Sequence, residues 1–162
     1  MSVLDGWRLC PRCGAELERE AGRVSCGACG FVFYANAAPT ASALCLDGDR
    51  RLLLGRRARE PSRGRWDTPR GFVEEGEHPL DALRRELLEE TGLEIEPLEF
   101  FGVWLDRYGA GERDRVTMNL FWTARVVGGD ERPADDVDAL RWFPLDRLPG
   151  RDELGSRGSP TS

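Results

Sequence analysis

The chain has 162 residues, a net charge of −6 and no lysine, since all 23 basic residues are arginine. That composition removes Schiff-base and lysine-base chemistry, and the single histidine, His78, argues against Ser-His-Asp or Cys-His catalysis. The length suits one domain with a small appendage, and the acidic balance argues against general nucleic-acid or acidic-membrane binding.

No apolar run reaches the roughly 18 residues of a membrane helix, and the opening MSVLDGWRLCPRCG has no leader pattern. A soluble cytoplasmic protein, with no membrane partner, is therefore expected. Residues 1–36 read as a small metal-binding ribbon, with strands near Arg23–Ser25 and Phe31–Tyr34. Cys10, Cys13, Cys26 and Cys29 form two C-x2-C pairs separated by twelve residues, and Gly14 and Gly30 permit the turn after each. Two such pairs can clasp a tetrahedral Zn²⁺, and four thiolates fill its sphere, so the site is structural rather than catalytic. A redox dithiol competes less well, because paired knuckles fit zinc better. Cys45, within the apolar run ASALCL, reads as an ordinary buried cysteine.

Residues 37–150 read as the main domain. Ala41–Leu46 and Arg51–Arg57 resemble a β-hairpin around Asp47-Gly48-Asp49. From Arg50 to Arg70 there are eight arginines against Glu60 and Asp67, a basic stretch suited to phosphate oxygens. Arg56 and Arg70 are its candidate substrate ligands, Arg70 because it directly precedes Gly71. A helix is expected from Pro79 to Thr91: Pro79 suits the first position, Asp81 the first turn, and Gly92 a left-handed cap. His78 is an atypical N-cap. Leu80, Leu83 and Leu87 form its apolar stripe, while Glu86, Glu89 and Glu90 at i, i+3 and i+4 crowd a second arc left open to solvent. Crowded carboxylates repel unless neutralised, and all-oxygen ligands suit Mg²⁺ or Mn²⁺.

Leu98–Leu105 and Val116–Val127 read as strands joined by a Gly-rich loop, Tyr108–Arg115, and Leu140–Phe143 as a shorter strand. Leu145–Leu148 begins a helical turn. Trp104, Tyr108, Phe121 and Trp122 could stack on a base, with Trp104 and Tyr108 the chosen candidates, although alternating strand aromatics more often build core. Residues 151–162 are polar and rich in Gly, Ser and Pro, and are expected to be a disordered tail.

The 23-residue segment GFVEEGEHPLDALRRELLEETGL, Gly71–Leu93, resembles the Nudix box, matching it at Gly71, Glu77, Arg85, Glu86, Glu89, Glu90 and Gly92. The resemblance implies an α+β fold, an α/β/α sandwich with a mixed sheet, preceded here by the zinc ribbon found in NADH pyrophosphatase-like and ADP-ribose pyrophosphatase-like members. It implies a hydrolase cleaving a nucleoside diphosphate linked to another moiety by metal-assisted attack of water on phosphorus. Glu86, Glu89 and Glu90 would ligate the metal with the Arg70 carbonyl. Arg85 would orient a carboxylate, and Glu77 would act through water or hold the loop. Glu86, Asp135, Asp136 and Asp138 all stand as general-base candidates. Family members usually end in a helix packed on the sheet, and this chain has none in its sequence, which would leave a face for a homodimer partner. Pro69-Arg70-Gly71 replaces the common Pro-Gly-Gly and resembles the Pro-Lys-Gly of diadenosine tetraphosphate hydrolases. EFFGVWLDRYG lacks the motif of NADH-specific members, so ADP-ribose-like substrates come first and diadenosine polyphosphates or NADH second. A non-catalytic nucleotide-sensing or interaction protein is the alternative of another class.

Overall fold

The computed structural model describes residues 2–109 and 115–155, which fall into two compact units: Met1–Ala37 with Arg107–Val116, and Ala38–Asp106 with Thr117–Ser162. In the first, β1 (Glu18–Glu20), β2 (Arg23–Ser25) and β3 (Val32–Tyr34) make an antiparallel sheet in that order. Strands β2 and β3 fall where the sequence puts them. Strand β1 is fully exposed ERE, which reads as a solvated charge run and gives no strand signal. Val24 is the buried centre of this sheet, Trp7 stacks on Phe33 at 5.2 Å, and the Arg19 guanidinium donates to the Leu4 and Trp7 carbonyls.

The second unit contains β4 (Ala38–Cys45), β5 (Arg51–Arg57), β6 (Trp66–Asp67), β7 (Arg70–Phe72), α1 (Pro79–Thr91) and β10 (Val137–Pro144). It also holds most of two long strands, β8 (Leu93–Tyr108) and β9 (Arg115–Gly129). One sheet has the order β7-β4-β9-β8 and is mixed, β4 running antiparallel to β7 and parallel to β9. The other has the order β10-β5-β6 and is antiparallel.

The expected hairpin is corrected. Its turn forms, with Asp47 N–H donating to the Arg51 carbonyl at 3.1 Å and a single bridge joining Leu46 to Leu52. Beyond that bridge the strands part into different sheets. Ala41, Ser42 and Ala43 are wholly buried, and a strand covered on both faces takes neighbours along both edges, here β7 and β9.

The helix spans the residues expected of it. His78 does cap it, its Nδ1 accepting the Leu80 N–H at 3.2 Å, and Gly92 ends it at φ +70°. A Cβ on Gly92 would meet the Asp130 carbonyl oxygen at 2.3 Å, so both conformation and space require glycine. Leu83 and Leu87 are fully buried against Ala41, Ala43 and Cys45 of β4, Leu93 and Ile95 of β8, and Ala124 of β9. Truncating either leucine to alanine would cost about 2–5 kcal/mol. Because side chains alternate across a strand, Thr40, Ser42 and Leu44 face away from α1.

Among the described residues no second α-helix closes the sheet; a 3-10 turn, Leu145–Arg147, follows β10. No helix among them is long and apolar enough to cross a membrane. Arg151–Gly155, assigned by composition to the tail, lies along β6. Trp66 N–H donates to the Glu153 carbonyl at 2.8 Å and Gly155 N–H to the Trp66 carbonyl at 2.9 Å. Backbone pairing of this kind needs no apolar side chain, so composition carries no sign of it. The rest of that expected tail, 156–162, and residues 110–114 of the expected Gly-rich loop lie outside the described residues.

Candidate active site

Strand β7 and the C-terminal half of α1 build the acidic site together. Residues on β7 alternate faces: Gly71 pairs with Ala41 on the helix side, and Arg70 pairs with Ser42 on the far side. A Cβ on Gly71 would lie 1.8 Å from the Glu86 carboxyl carbon, so Glu86 sits directly over bare backbone. Glu90, at 8% exposed, accepts the Arg70 N–H through Oε2 at 3.1 Å. The expectation that the acidic arc stays open holds for Glu89 and fails for Glu90, which the sheet edge buries. Burial pushes the Glu90 carboxyl up to about 8, against the Arg70 N–H and with Glu86 and Asp136 adding to the rise. Burial raises Glu86 too, opposed by Arg85.

Arg85 is the hub of the loop. Its Nε and Nη2 hold the two Glu77 oxygens at 2.9 Å each, Nη1 reaches Glu86 at 2.8 Å and Glu89 at 3.3 Å, and Nη2 also donates to the Phe72 carbonyl. This bidentate pair holds the Glu77 carboxyl down at about 2. Glu77 also accepts the Glu74 N–H, so it fixes the loop by hydrogen bonding.

The segment between β9 and β10 closes over the end of α1, Arg132 N–H donating to the Thr91 carbonyl and Ala134 N–H to that of Glu90. It brings Asp135 and Asp136 near enough to Glu86 and Glu90 to raise their carboxyls. Asp138 is instead paired with Arg56 at 2.7 Å, both half exposed. Two sequence candidates, one base and one substrate ligand, thus engage each other.

On the sheet face away from α1 lies a pocket of about 220 Å³ lined by Leu44, Arg70, Phe101, Trp104, Asn119 and Phe121 among others. Arg70 and Trp104, both expected to meet substrate, come together here. Tyr108 belongs to the other compact unit, where its ring takes the Arg115 guanidinium at 5.9 Å. Asn119 and Phe101 are not among the sequence candidates; Asn119 carries no signal because it is one of several polar residues interspersed along β9.

The four ribbon cysteines converge. Cys10 and Cys29 sulfurs are 3.6 Å apart, as are those of Cys13 and Cys26, and all four lie within 4.8 Å of one another. Tetrahedral zinc sets sulfurs ~3.8 Å apart, whereas a disulfide brings them to ~2.0 Å. Burial would raise the Cys10 thiol, yet the Arg12 and Cys13 N–H groups bring it down to about 7. Despite the Phe31 N–H, burial and the neighbouring sulfurs push Cys29 up to about 12. Thiols this crowded share a site comfortably only around a cation. Among the described residues these sulfurs are the group compact enough to hold a metal at one point, and the glutamates of α1 are more widely spread.

Residues 37–160 match the NUDIX domain. The chain is 31% identical over 147 residues to an NAD-capped RNA hydrolase of Stutzerimonas stutzeri, covering 88% of this chain and 50% of that protein. It is 34% identical over 113 residues to an ADP-ribose pyrophosphatase of Methanocaldococcus jannaschii, covering 66% and 64%. The crystal structure of a NUDIX hydrolase from Nitrosomonas europaea superposes with a TM-score of 0.75 at 25% identity, covering 93% and 84%. The chain spans about half the length of the curated NAD-capped RNA hydrolases it matches. With the domain match, the fold and the Gly71–Leu93 geometry in agreement, the chain belongs to the Nudix family.

Proposed function

We propose that this chain is a pyrophosphohydrolase dependent on Mg²⁺ or Mn²⁺, acting on a nucleoside diphosphate linked to another moiety. One observation carries the reading: Glu90 is buried at the end of β7, seated on a backbone N–H with Glu86 beside it, an arrangement that suits an oxygen-ligated cation. Glu86, Glu89, Glu90 and the Arg70 carbonyl would hold it, and a cation there supplies Lewis acidity at the phosphate oxygens and acidifies water. Arg85 keeps Glu86 and Glu89 oriented and Glu77 anchors Arg85. Water attacks one phosphorus, the bridging P–O bond breaks, and a nearby carboxylate takes the water proton. Glu86, Asp135, Asp136 and Asp138 stay candidates for that role; Glu86 is paired with Arg85 at 2.8 Å, Asp136 with Arg59 at 2.9 Å and Asp138 with Arg56 at 2.7 Å.

ADP-ribose-like substrates come first, supported by the relative named for that activity, with diadenosine polyphosphate or NADH next. A second reading, an NAD-capped RNA, is favoured by relatives so named whose similarity covers 88% of this chain. The acidic charge that argues against general nucleic-acid binding does not bar an RNA gripped by its cap. The ribbon holds Zn²⁺, the protein works in the cytoplasm, and two chains associate through β8.

The test is phosphate release, with excess phosphatase, from ADP-ribose, NADH, diadenosine tetraphosphate and NAD-capped RNA in Mg²⁺ or Mn²⁺. Wild type should turn over one class, and Glu90→Gln should lower kcat at least about 100-fold. A folded, zinc-loaded wild type that cleaves none of them would move the reading to a non-catalytic nucleotide sensor.

A further inference from the structure

We infer that the segment Arg151–Gly155 is a strap that positions the acidic site and sets its cation affinity through Asp67 and Arg70, an inference resting on the hydrolase reading above. The need for a strap begins at β6. That strand is two residues long, Trp66–Asp67, and among the described strands β5 alone pairs with it. So short a strand has few ladder bonds with which to hold its place. The strap supplies the other edge: Trp66 donates its N–H to the Glu153 carbonyl at 2.8 Å and accepts the Gly155 N–H at 2.9 Å, a parallel bridge to Leu154. The loop before β6 joins in, Ser62 Oγ donating to the Gly155 carbonyl at 3.1 Å and Arg65 Nη1 to that of Leu154 at 3.2 Å.

From β6 the path runs inward to the glutamates. Asp67 follows Trp66 directly, and its carboxylate spans the link to β7. Its Oδ1 accepts the Thr68 N–H at 2.9 Å, and its Oδ2 accepts from the Arg70 guanidinium at 2.7 Å. The two side chains are only 15% and 11% exposed, a buried pair that costs stability to break. The backbone N–H of the same Arg70 seats Glu90 at 3.1 Å. The strap lies against this pair: a Cβ on Gly155 would stand 3.1 Å from Asp67 Oδ2 and 3.3 Å from Arg57 Cδ. Loss of the strap would free one edge of β6, open the Asp67–Arg70 pair to water and loosen the N–H that orients Glu90. Outer partners that orient a metal's ligands typically carry about 10–100-fold of its affinity.

The test titrates the full, zinc-loaded chain with Mn²⁺ by calorimetry in the absence of substrate, so binding is read apart from turnover. Gly155→Pro deletes the N–H that Trp66 accepts. With its far-UV spectrum unchanged it should bind Mn²⁺ about 10-fold more weakly. The Mn²⁺ needed for half-maximal turnover should rise by the same factor, while kcat at saturating Mn²⁺ stays within about 2-fold. Asp67→Asn should weaken Mn²⁺ at least as much, and adding Gly155→Pro to it should change little further, because the two act along one path. Where Gly155→Pro fails to fold, Ser62→Ala with Arg65→Gln removes only the two side-chain donors to the strap and should still weaken Mn²⁺ about 3-fold. Folded variants that bind Mn²⁺ as tightly as wild type overturn the strap, whether or not substrate is cleaved. Mn²⁺ bound by wild type and weakened in the variants, with no hydrolysis of any substrate, sustains the strap and removes the hydrolase reading. A wild type that binds no Mn²⁺ overturns both.

Discussion

Gly71 and Glu90 show how two residues on neighbouring elements shape the candidate site. Any side chain at Gly71 would occupy the volume of the Glu86 carboxylate, so a glycine on the helix face of β7 seats that group against the sheet. Arg70, one step away and pointing to the other face, contributes its N–H to Glu90. The cost of this arrangement is a buried carboxylate whose ordinary value rises to about 8 because it is desolvated. The sign of the linkage follows: a group whose folded value is raised stabilises the fold fully below its unfolded value and less as pH climbs through the folded one. The cation-free protein should therefore lose stability between about pH 5 and pH 8, with Tm falling by at least about 5 °C. Glu90→Gln, neutral at every pH, should flatten that slope, and Mg²⁺ should restore Tm at pH 8 in wild type only. Differential scanning calorimetry in EDTA checks it, and equal slopes for the two proteins would count against Glu90 as the source.

Among the elements, α1 was the most legible, because proline, glycine and the leucine stripe are local signals that act within one helix. Helix spacing alone leaves Glu90 open because its burial comes from β7, 20 residues earlier, and no spacing within the helix reports a neighbour across space. The hairpin expectation fails for a related reason: the Asp47–Asp49 turn is local, but the partners of β4 and β5 are set by which strands need both edges covered. Asp138 carries no mark in the sequence of its engagement with Arg56, 82 residues away. The ribbon was legible in its cysteines and not in β1, whose exposed charges pay no attention to strand patterning. Its three short strands bury little besides Val24, so a metal held by the four cysteines would carry most of its order. Purified protein should contain one zinc per chain by elemental analysis. Cys26→Ser should drop that below about 0.2 and expose Arg8, Arg12 and Arg23 to trypsin, while a variant that keeps full zinc and resists the protease would exclude the four-cysteine site.

At the scale of the whole molecule, the anomaly is how much apolar surface β8 leaves uncovered. Leu98, Phe100, Phe101, Val103, Trp104 and Leu105 are each 45–60% exposed on a 16-residue strand at the edge of its sheet. Natural edge strands usually protect themselves with charge, proline or brevity. Here the stretch Phe100–Leu105, FFGVWL, has no charge and no proline. A closing terminal helix would cover such surface in a larger chain, and the described residues contain none beyond the 3-10 turn at Leu145–Arg147. Two copies meeting edge to edge along β8 would satisfy the open backbone and pair apolar side chains across the new strand boundary, and the antiparallel arrangement about a two-fold axis closes the assembly. The chain should then sediment at twice its 18.1 kDa at micromolar concentration. Phe100→Arg with Val103→Arg, which place charges on the edge without altering Trp104 or Phe121, should return it to the monomer with its far-UV spectrum unchanged. A wild type that remains monomeric at about 100 μM would mean that the row is covered by a different partner or stays wet, since a specific interface of standard size holds well below that concentration.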